Sequence, residues 1–169
     1  MKQAKRILIM GLPGAGKTYW GELVANKYGL PFTDLDAETE RNEGTSIADL
    51  FKEYDESGFR EREQKCLQQV IKQKQTAIVA CGGGTPCHLD NMALMKGNGT
   101  VVYIKANTTQ LVANIGRSKE VRPLLEGQNN LGEYLDNLLA QRYVYYEQAD
   151  HILPANDISL ATFDQIISS

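Results

Sequence analysis

The chain has 169 residues, 42% of them hydrophobic and 23% charged, which suits one folded domain spanning 1–169 and leaves no segment apolar-poor enough to stay disordered. Its formal charge of -3, with Lys and Arg scattered, provides no basic footprint for a nucleic-acid backbone or an anionic membrane. Cys66, Cys81 and Cys87 with His88 and His151 match no metal-ligand spacing, so structural thiols are expected instead of a disulfide framework or a zinc site.

Taken in chain order, residues 1–6 lead into the apolar run Ile7–Met10, too short for a signal-peptide core or a membrane span, and a cytoplasmic protein is expected. Short β-rich runs recur at Arg6–Met10, Pro31–Asp34, Ala77–Cys81, Thr100–Lys105 and Asp150–Leu153, separated by segments of helical periodicity. That alternation predicts an α/β fold, a parallel sheet with helices on both faces.

The first strand runs directly into Gly11-Leu12-Pro13-Gly14-Ala15-Gly16-Lys17-Thr18, a G-x-x-x-x-G-K-[ST] phosphate loop that opens a helix. Its glycines let backbone N–H groups turn inward around phosphate oxygens, and the helix N-terminus adds positive potential. Lys17 would reach the terminal phosphates of ATP and the Thr18 hydroxyl would ligate Mg²⁺, with Gly14, Ala15, Gly16 and Tyr19 completing the nucleotide cradle. The helix that follows carries an apolar stripe, Trp20, Leu23, Val24 and Lys27, and stops at Gly29-Leu30-Pro31.

The second strand ends in Asp34-Leu35-Asp36, where strand alternation points both carboxylates the same way, toward the end of the sheet at which α/β proteins bind ligands. One carboxylate would serve metal-bound water and the other a substrate hydroxyl; alternatively, Asp36 caps the helix beginning near Ala37. Residues 36–63 interrupt the strand-helix rhythm and read as a substrate-binding insertion. Within them Arg60 opens a helix against its dipole, so it awaits either an external anion or a surface ion pair with Glu63 or Glu56. Beyond it, Phe59, Glu63, Cys66, Leu67, Val70 and Ile71 share one helix face.

The third strand ends in Gly82-Gly83-Gly84, which removes side chains where something must approach the backbone, unless the loop is simply flexible. Residues 116–127 are polar and flanked by glycine; they read as a lid in which Arg117 and Arg122 could close over the nucleotide, or as a solvated loop. The last long stripe, Leu131, Tyr134, Leu135, Leu138, Arg142, Tyr145 and Ala149, places a guanidinium on an apolar side. Arg142 either snorkels to solvent or holds a carboxylate bidentately.

In sequence these elements resemble the shikimate kinase family: Gly11–Thr18, Asp34-x-Asp36, Gly44–Phe51, Phe59-Arg60-x-x-Glu63, Gly82-Gly83-Gly84, Arg122-Pro123-Leu124-Leu125 and Arg142–Tyr145. The resemblance covers residues 6 to 150. It implies a nucleoside-monophosphate-kinase-like P-loop fold, three layers α/β/α around a five-stranded parallel sheet, and phosphorylation of the shikimate 3-hydroxyl by ATP with Mg²⁺ as cofactor. It places Asp36, Arg60, Arg142 and the backbone of Gly82, Gly83 and Gly84 around shikimate, with Asp34 on Mg²⁺ through water and Arg122 near the transferring phosphoryl group. The chain departs from the family pattern at Asp55-Glu56-Ser57-Gly58 and at Asn114, where an arginine is common, so Arg117 becomes the expected adenine contact. ATP and shikimate are the expected partners of a monomer. A different small-metabolite kinase would share the phosphate loop but has no need of the glycine triplet with paired arginines, and the intact set Lys17, Thr18, Asp36 and Arg122 argues against a nucleotide-binding regulator without phosphoryl transfer.

Overall fold

The computed structural model describes residues 5–73, 75–118, 127 and 129–169. Among these, β1 (Arg6–Met10), β2 (Phe32–Asp34), β3 (Ala77–Ala80), β4 (Thr100–Lys105) and β5 (His151–Pro154) form one sheet in the order β2-β3-β1-β4-β5. Every pairing is parallel, with Ile7 of β1 facing Ile78 of β3 on one side and Thr100 of β4 on the other. The helices are α1 (Lys17–Tyr28), α2 (Leu35–Glu43), α3 (Ile47–Lys72), α4 (Asn91–Asn98), α5 (Thr108–Arg117), α6 (Leu131–Tyr146) and α7 (Leu160–Ser168). The predicted strands are the observed ones to within a residue at each end.

All of β1 and all of β3 are buried. Successive strand side chains point to opposite faces, so both faces of the sheet must be covered, and the fold has the three layers expected. The central strand delivers the phosphate loop, β2 delivers Asp34 and β3 delivers Gly82, all at the carboxyl edge of the sheet.

The α1 stripe is rotated from its predicted position. Gly21, Val24 and Ala25 are buried, whereas Lys27 is exposed and pairs with Asp164 at 2.5 Å. The cause is Gly21: a Cβ there would lie 2.5 Å from Cε2 of Phe32, so the helix rests on β2 through an absent side chain that a count of apolar residues does not register. The predicted stop is real, since Gly29 adopts φ 62 and its N–H reaches the carbonyls of Ala25 and Asn26.

Helix α3 breaks at Asp55, whose φ of 58 and ψ of -175 lie outside helical space. Residues 47–54 and 56–72 are thus two helical arms, and the second buries the whole predicted face from Phe59 to Ile71. Helix α6 buries Leu135, Leu138 and Arg142 as expected, and also Tyr146, which the predicted stripe omits.

Candidate active site

A cavity of about 1250 Å³ opens at the carboxyl edge of the sheet. Its lining includes Gly14, Ala15, Gly16, Lys17, Thr18 and Tyr19 from the phosphate loop, Asp34 and Asp36, Arg60, Gly82, Gly83 and Gly84, Arg117 and Arg142. Residues spread over most of the chain therefore meet in one place. Arg122 and most of the predicted lid lie outside the described residues.

In the phosphate loop, Gly14 and Gly16 hold φ of 86 and 96, backbone that L side chains resist. Lys17 Nζ donates to the carbonyls of Gly11 at 2.8 Å and Leu12 at 3.0 Å, which keeps the ammonium over the loop. On the outer side, Asn114 of α5 donates from Nδ2 to the Gly14 carbonyl at 2.8 Å. Arg117 sits exposed at the last turn of α5, on the cavity rim. Tyr19 lines the cavity directly after the phosphate loop; its ring is 62% exposed and lies edge-on to Trp20.

The Asp34-x-Asp36 pair differs in detail from its sequence reading. Asp34, not Asp36, caps α2: its Oδ1 accepts from the N–H of Asp36 at 3.0 Å and of Ala37 at 3.2 Å. Asp36 is already in the first helical turn, which frees its carboxyl for the cavity. The helix begins at Leu35, two residues earlier than expected, so helical geometry and not strand alternation brings the two carboxylates together. Asp34 Oδ2 accepts the Thr18 hydroxyl at 2.8 Å. Among the described residues no cluster of three or more His, Cys, Asp or Glu could hold a metal by itself. One hydroxyl and one carboxylate beside a phosphate loop do fit Mg²⁺, which takes few protein ligands and draws the rest from water and substrate phosphates.

Burial pushes the Asp36 carboxyl up to about 7, helped by the charges of Glu63 and Asp34 and opposed by Lys17 and Arg60. A carboxyl poised near neutrality at the edge of a cavity can exchange a proton with a substrate hydroxyl.

Arg60 and Glu63 are 5% and 1% exposed, and their Nη1–Oε1 separation is 2.9 Å. Glu56 adds a second contact to Arg60 at 3.2 Å. The ion pair weighed in the sequence reading therefore exists, but it is buried, where the alternatives considered only the surface. Burial pulls the guanidinium down, and Glu63 and Glu56 outweigh it, so Arg60 ends above its ordinary value. Its Nε remains buried with no hydrogen-bond partner among the described residues. Glu63 spends its other oxygen on Thr85 Oγ1 at 2.8 Å. Sequence spacing placed Glu63 in the helix face but gave no sign that it bridges Arg60 to the glycine-triplet turn.

Arg142 is 6% exposed and does not snorkel; among the described residues it forms no ion pair. A buried cation without a carboxylate is costly unless an anion comes to it. The triplet explains how both arginines fit. A Cβ on Gly84 would lie 2.8 Å from Cζ and 2.9 Å from Nη1 of Arg60. One on Gly83 would meet Arg142 Nη1 at 3.0 Å, and one on Gly82 would meet Asp36 Oδ1 at 2.9 Å. What approaches this backbone includes the protein's own charged side chains.

Cys66 and Cys81 are buried, and burial raises the thiol pKa of both. Burial also pushes half-buried Cys87 up to about 11, so none of the three is a poised thiolate.

A triplet that seats two arginines and an acid beside a phosphate loop separates this site from that of a generic nucleotide binder. The family model described as shikimate kinase matches residues 13–169. The chain belongs to the shikimate kinase family. The Shikimate kinase of Nitrosomonas europaea is 40% identical over 147 residues, 87% of this chain and 68% of that protein. The one from Azobacteroides pseudotrichonymphae is 37% identical over 147 residues, 86% of each. Among solved structures, the shikimate kinase of Acinetobacter baumannii in complex with shikimate superposes with a TM-score of 0.86 at 32% identity, covering 98% of this chain and 91% of that one. The shikimate kinase of Bacteroides thetaiotaomicron reaches a TM-score of 0.91 at 30% identity, covering 98% and 99%. Membership of this family accounts for the fold.

Proposed function

We propose that this chain phosphorylates the 3-hydroxyl of shikimate with ATP, giving shikimate 3-phosphate and ADP, a step of aromatic amino-acid biosynthesis. The observation that carries the reading is one cavity lined by the phosphate loop, by Asp36 and by two buried arginines, one of them without a carboxylate partner among the described residues.

In this reading the phosphate loop binds the triphosphate through its backbone, with Lys17 moving from the Gly11 and Leu12 carbonyls to phosphate oxygens. Thr18 and Asp34 would hold Mg²⁺, Asp34 through water, and the bound ion would offset the charge of the phosphates. Arg142 and Arg60 take the shikimate carboxylate, and the Gly82–Gly84 backbone and Asp36 take its hydroxyls. Asp36 accepts the proton of the 3-hydroxyl as its oxygen bonds to the γ-phosphorus and the bond to the β,γ-bridging oxygen breaks, leaving ADP. Phosphoryl transfer asks for little beyond alignment and charge neutralisation, which this set of groups supplies. Residues 36–63 act as the substrate-binding element. Arg117 contacts the adenine, while Arg122 and the 116–127 lid, assigned from sequence alone, close on the transferring group. A monomeric cytoplasmic enzyme that needs neither nucleic acid nor membrane completes the reading; among the described residues no helix is long and apolar enough to cross a membrane.

The test is ADP formation by purified protein with ATP, Mg²⁺ and shikimate, beside gluconate, AMP and no acceptor. Turnover that requires shikimate is expected. ATP binding without acceptor-dependent turnover would refute the proposal in favour of a regulatory nucleotide binder.

A further inference from the structure

Helix α6 places Tyr146 one turn beyond Arg142 on its buried face. The side chain is fully buried, its ring tilted against Tyr103 with centroids 4.8 Å apart, and its hydroxyl donates to the Gly83 carbonyl at 2.6 Å. This hydrogen bond joins residues 63 positions apart and ties the glycine triplet to the helix that carries Arg142. A fully buried tyrosine hydroxyl needs a hydrogen-bond partner, and this one takes it from the backbone of the glycine triplet.

The carbonyl it holds belongs to the Gly83–Gly84 peptide. A trans peptide directs its C=O and N–H to opposite sides, so fixing one fixes the other. With glycine on both flanks no Cβ opposes rotation of that peptide plane, and a half-turn would exchange an N–H for a carbonyl at the same spot. The Gly84 N–H donates to nothing among the described residues, although Gly84 is buried. An unpaired buried donor at the edge of a ligand cavity is a place for a ligand oxygen.

We propose that Tyr146 is a positioning residue for the acceptor substrate: its hydroxyl selects the orientation of the Gly83–Gly84 peptide that offers the Gly84 N–H, beside Arg60 and Arg142, to an oxygen of the bound hydroxy acid. This rests on the shikimate reading above and adds a residue that touches no substrate itself. Retained activity with unchanged affinity would leave that reading intact while overturning the role of Tyr146.

Tyr146→Phe removes only the hydroxyl. The expected result is a rise of about tenfold in KM for shikimate, the upper end for loss of one hydrogen bond, with KM for ATP within about twofold. In ¹⁵N spectra of protein bearing labelled glycine, shikimate should shift the Gly84 amide in the unsubstituted protein and much less in the variant. Tyr103→Phe, which removes a hydroxyl from the packed neighbour, should leave both KM values unchanged. The proposal fails if Y146F keeps the KM for shikimate and the Gly84 shift, or if both KM values rise together with a fallen Tm. If Y146F does not fold, Gly84 in the unsubstituted protein still decides: an amide that does not respond to saturating shikimate overturns the proposal.

Discussion

Gly16 and Gly84 border the same cavity and are glycine for opposite reasons. At Gly16 the backbone stands at φ 96, and a Cβ would meet nothing closer than Trp20 Cδ1 at 3.4 Å, so space is available and conformation is not. At Gly84 the backbone is ordinary, φ -90 and ψ -9, but a Cβ would sit inside the Arg60 guanidinium. The nucleotide end of the cavity uses glycine to bend the chain around an anion. The acceptor end uses it to make room for cations.

The largest expected effect falls where the two ends meet. Asp36→Asn should lower kcat by about 10²–10⁴-fold, the usual worth of a positioned acid or base, and near-normal turnover would remove Asp36 from the mechanism. The same change separates activity from stability. A carboxyl raised from 3.8 to about 7 in the folded chain binds its proton more tightly than in the unfolded chain. Its contribution is therefore full below about 3.8 and is lost as pH rises through about 7. The variant, which has no charge to bury, should melt a few degrees higher than the unsubstituted protein at pH 8 in EDTA, with the gap closing toward pH 4. In the active enzyme kcat/KM should climb with pH through the same region near 7; a profile flat from pH 6 to 8 would contradict an ionised Asp36 as the working form.

Next in size is the glycine comparison itself. Gly84→Ala should raise the KM for shikimate by roughly 10 to 100-fold through displacement of Arg60, since about 1 Å of misplacement can cost 10²-fold, and should leave ATP binding alone. Gly16→Ala should do the reverse, weakening ADP binding in calorimetry by about 1–3 kcal/mol of backbone strain. If the two variants impair both substrates alike, the division of labour is wrong. Arg142→Lys should follow, with a rise of about tenfold in KM for shikimate as a bidentate fork becomes a point charge. The smallest effect is expected for Asn114→Ala, which frees the Gly14 carbonyl and should raise the KM for ATP about twofold to fivefold, in line with one exposed hydrogen bond.

Much of this was legible in the sequence because charged residues on apolar faces and glycines in runs are anomalies. Arg142 on its stripe, Arg60 at a helix start and the triplet all stood out, and all line the cavity. Residues that looked ordinary were the ones missed. Tyr146 falls off the predicted apolar stripe, and its hydroxyl bond to Gly83 crosses a distance no local pattern spans. Glu63 could be read as a partner for Arg60, but nothing local shows that its second oxygen holds Thr85. The cap of α2 is Asp34 and not Asp36, which the sequence could not show because helix boundaries are poorly marked where several acids fall together; only the Oδ1 contacts decide between them. Gly21 set the rotation of α1 by lacking a side chain, which a pattern of side chains cannot display.

The strand order has a mechanical consequence. The phosphate loop hangs from β1, held on both sides by β3 and β4, whereas the paired carboxylates hang from β2, an edge strand of three residues bonded to β3 alone. Local opening is easiest where the fewest ladder bonds must break. In the proposed function the triphosphate therefore rests on the stiffer part of the sheet, and Asp36, which faces the acceptor, follows the more compliant edge strand. On warming, amide exchange should quicken at Thr33 and Asp34 before it does at Leu8 and Ile9, so the grip on the hydroxy acid should loosen while nucleotide is still held.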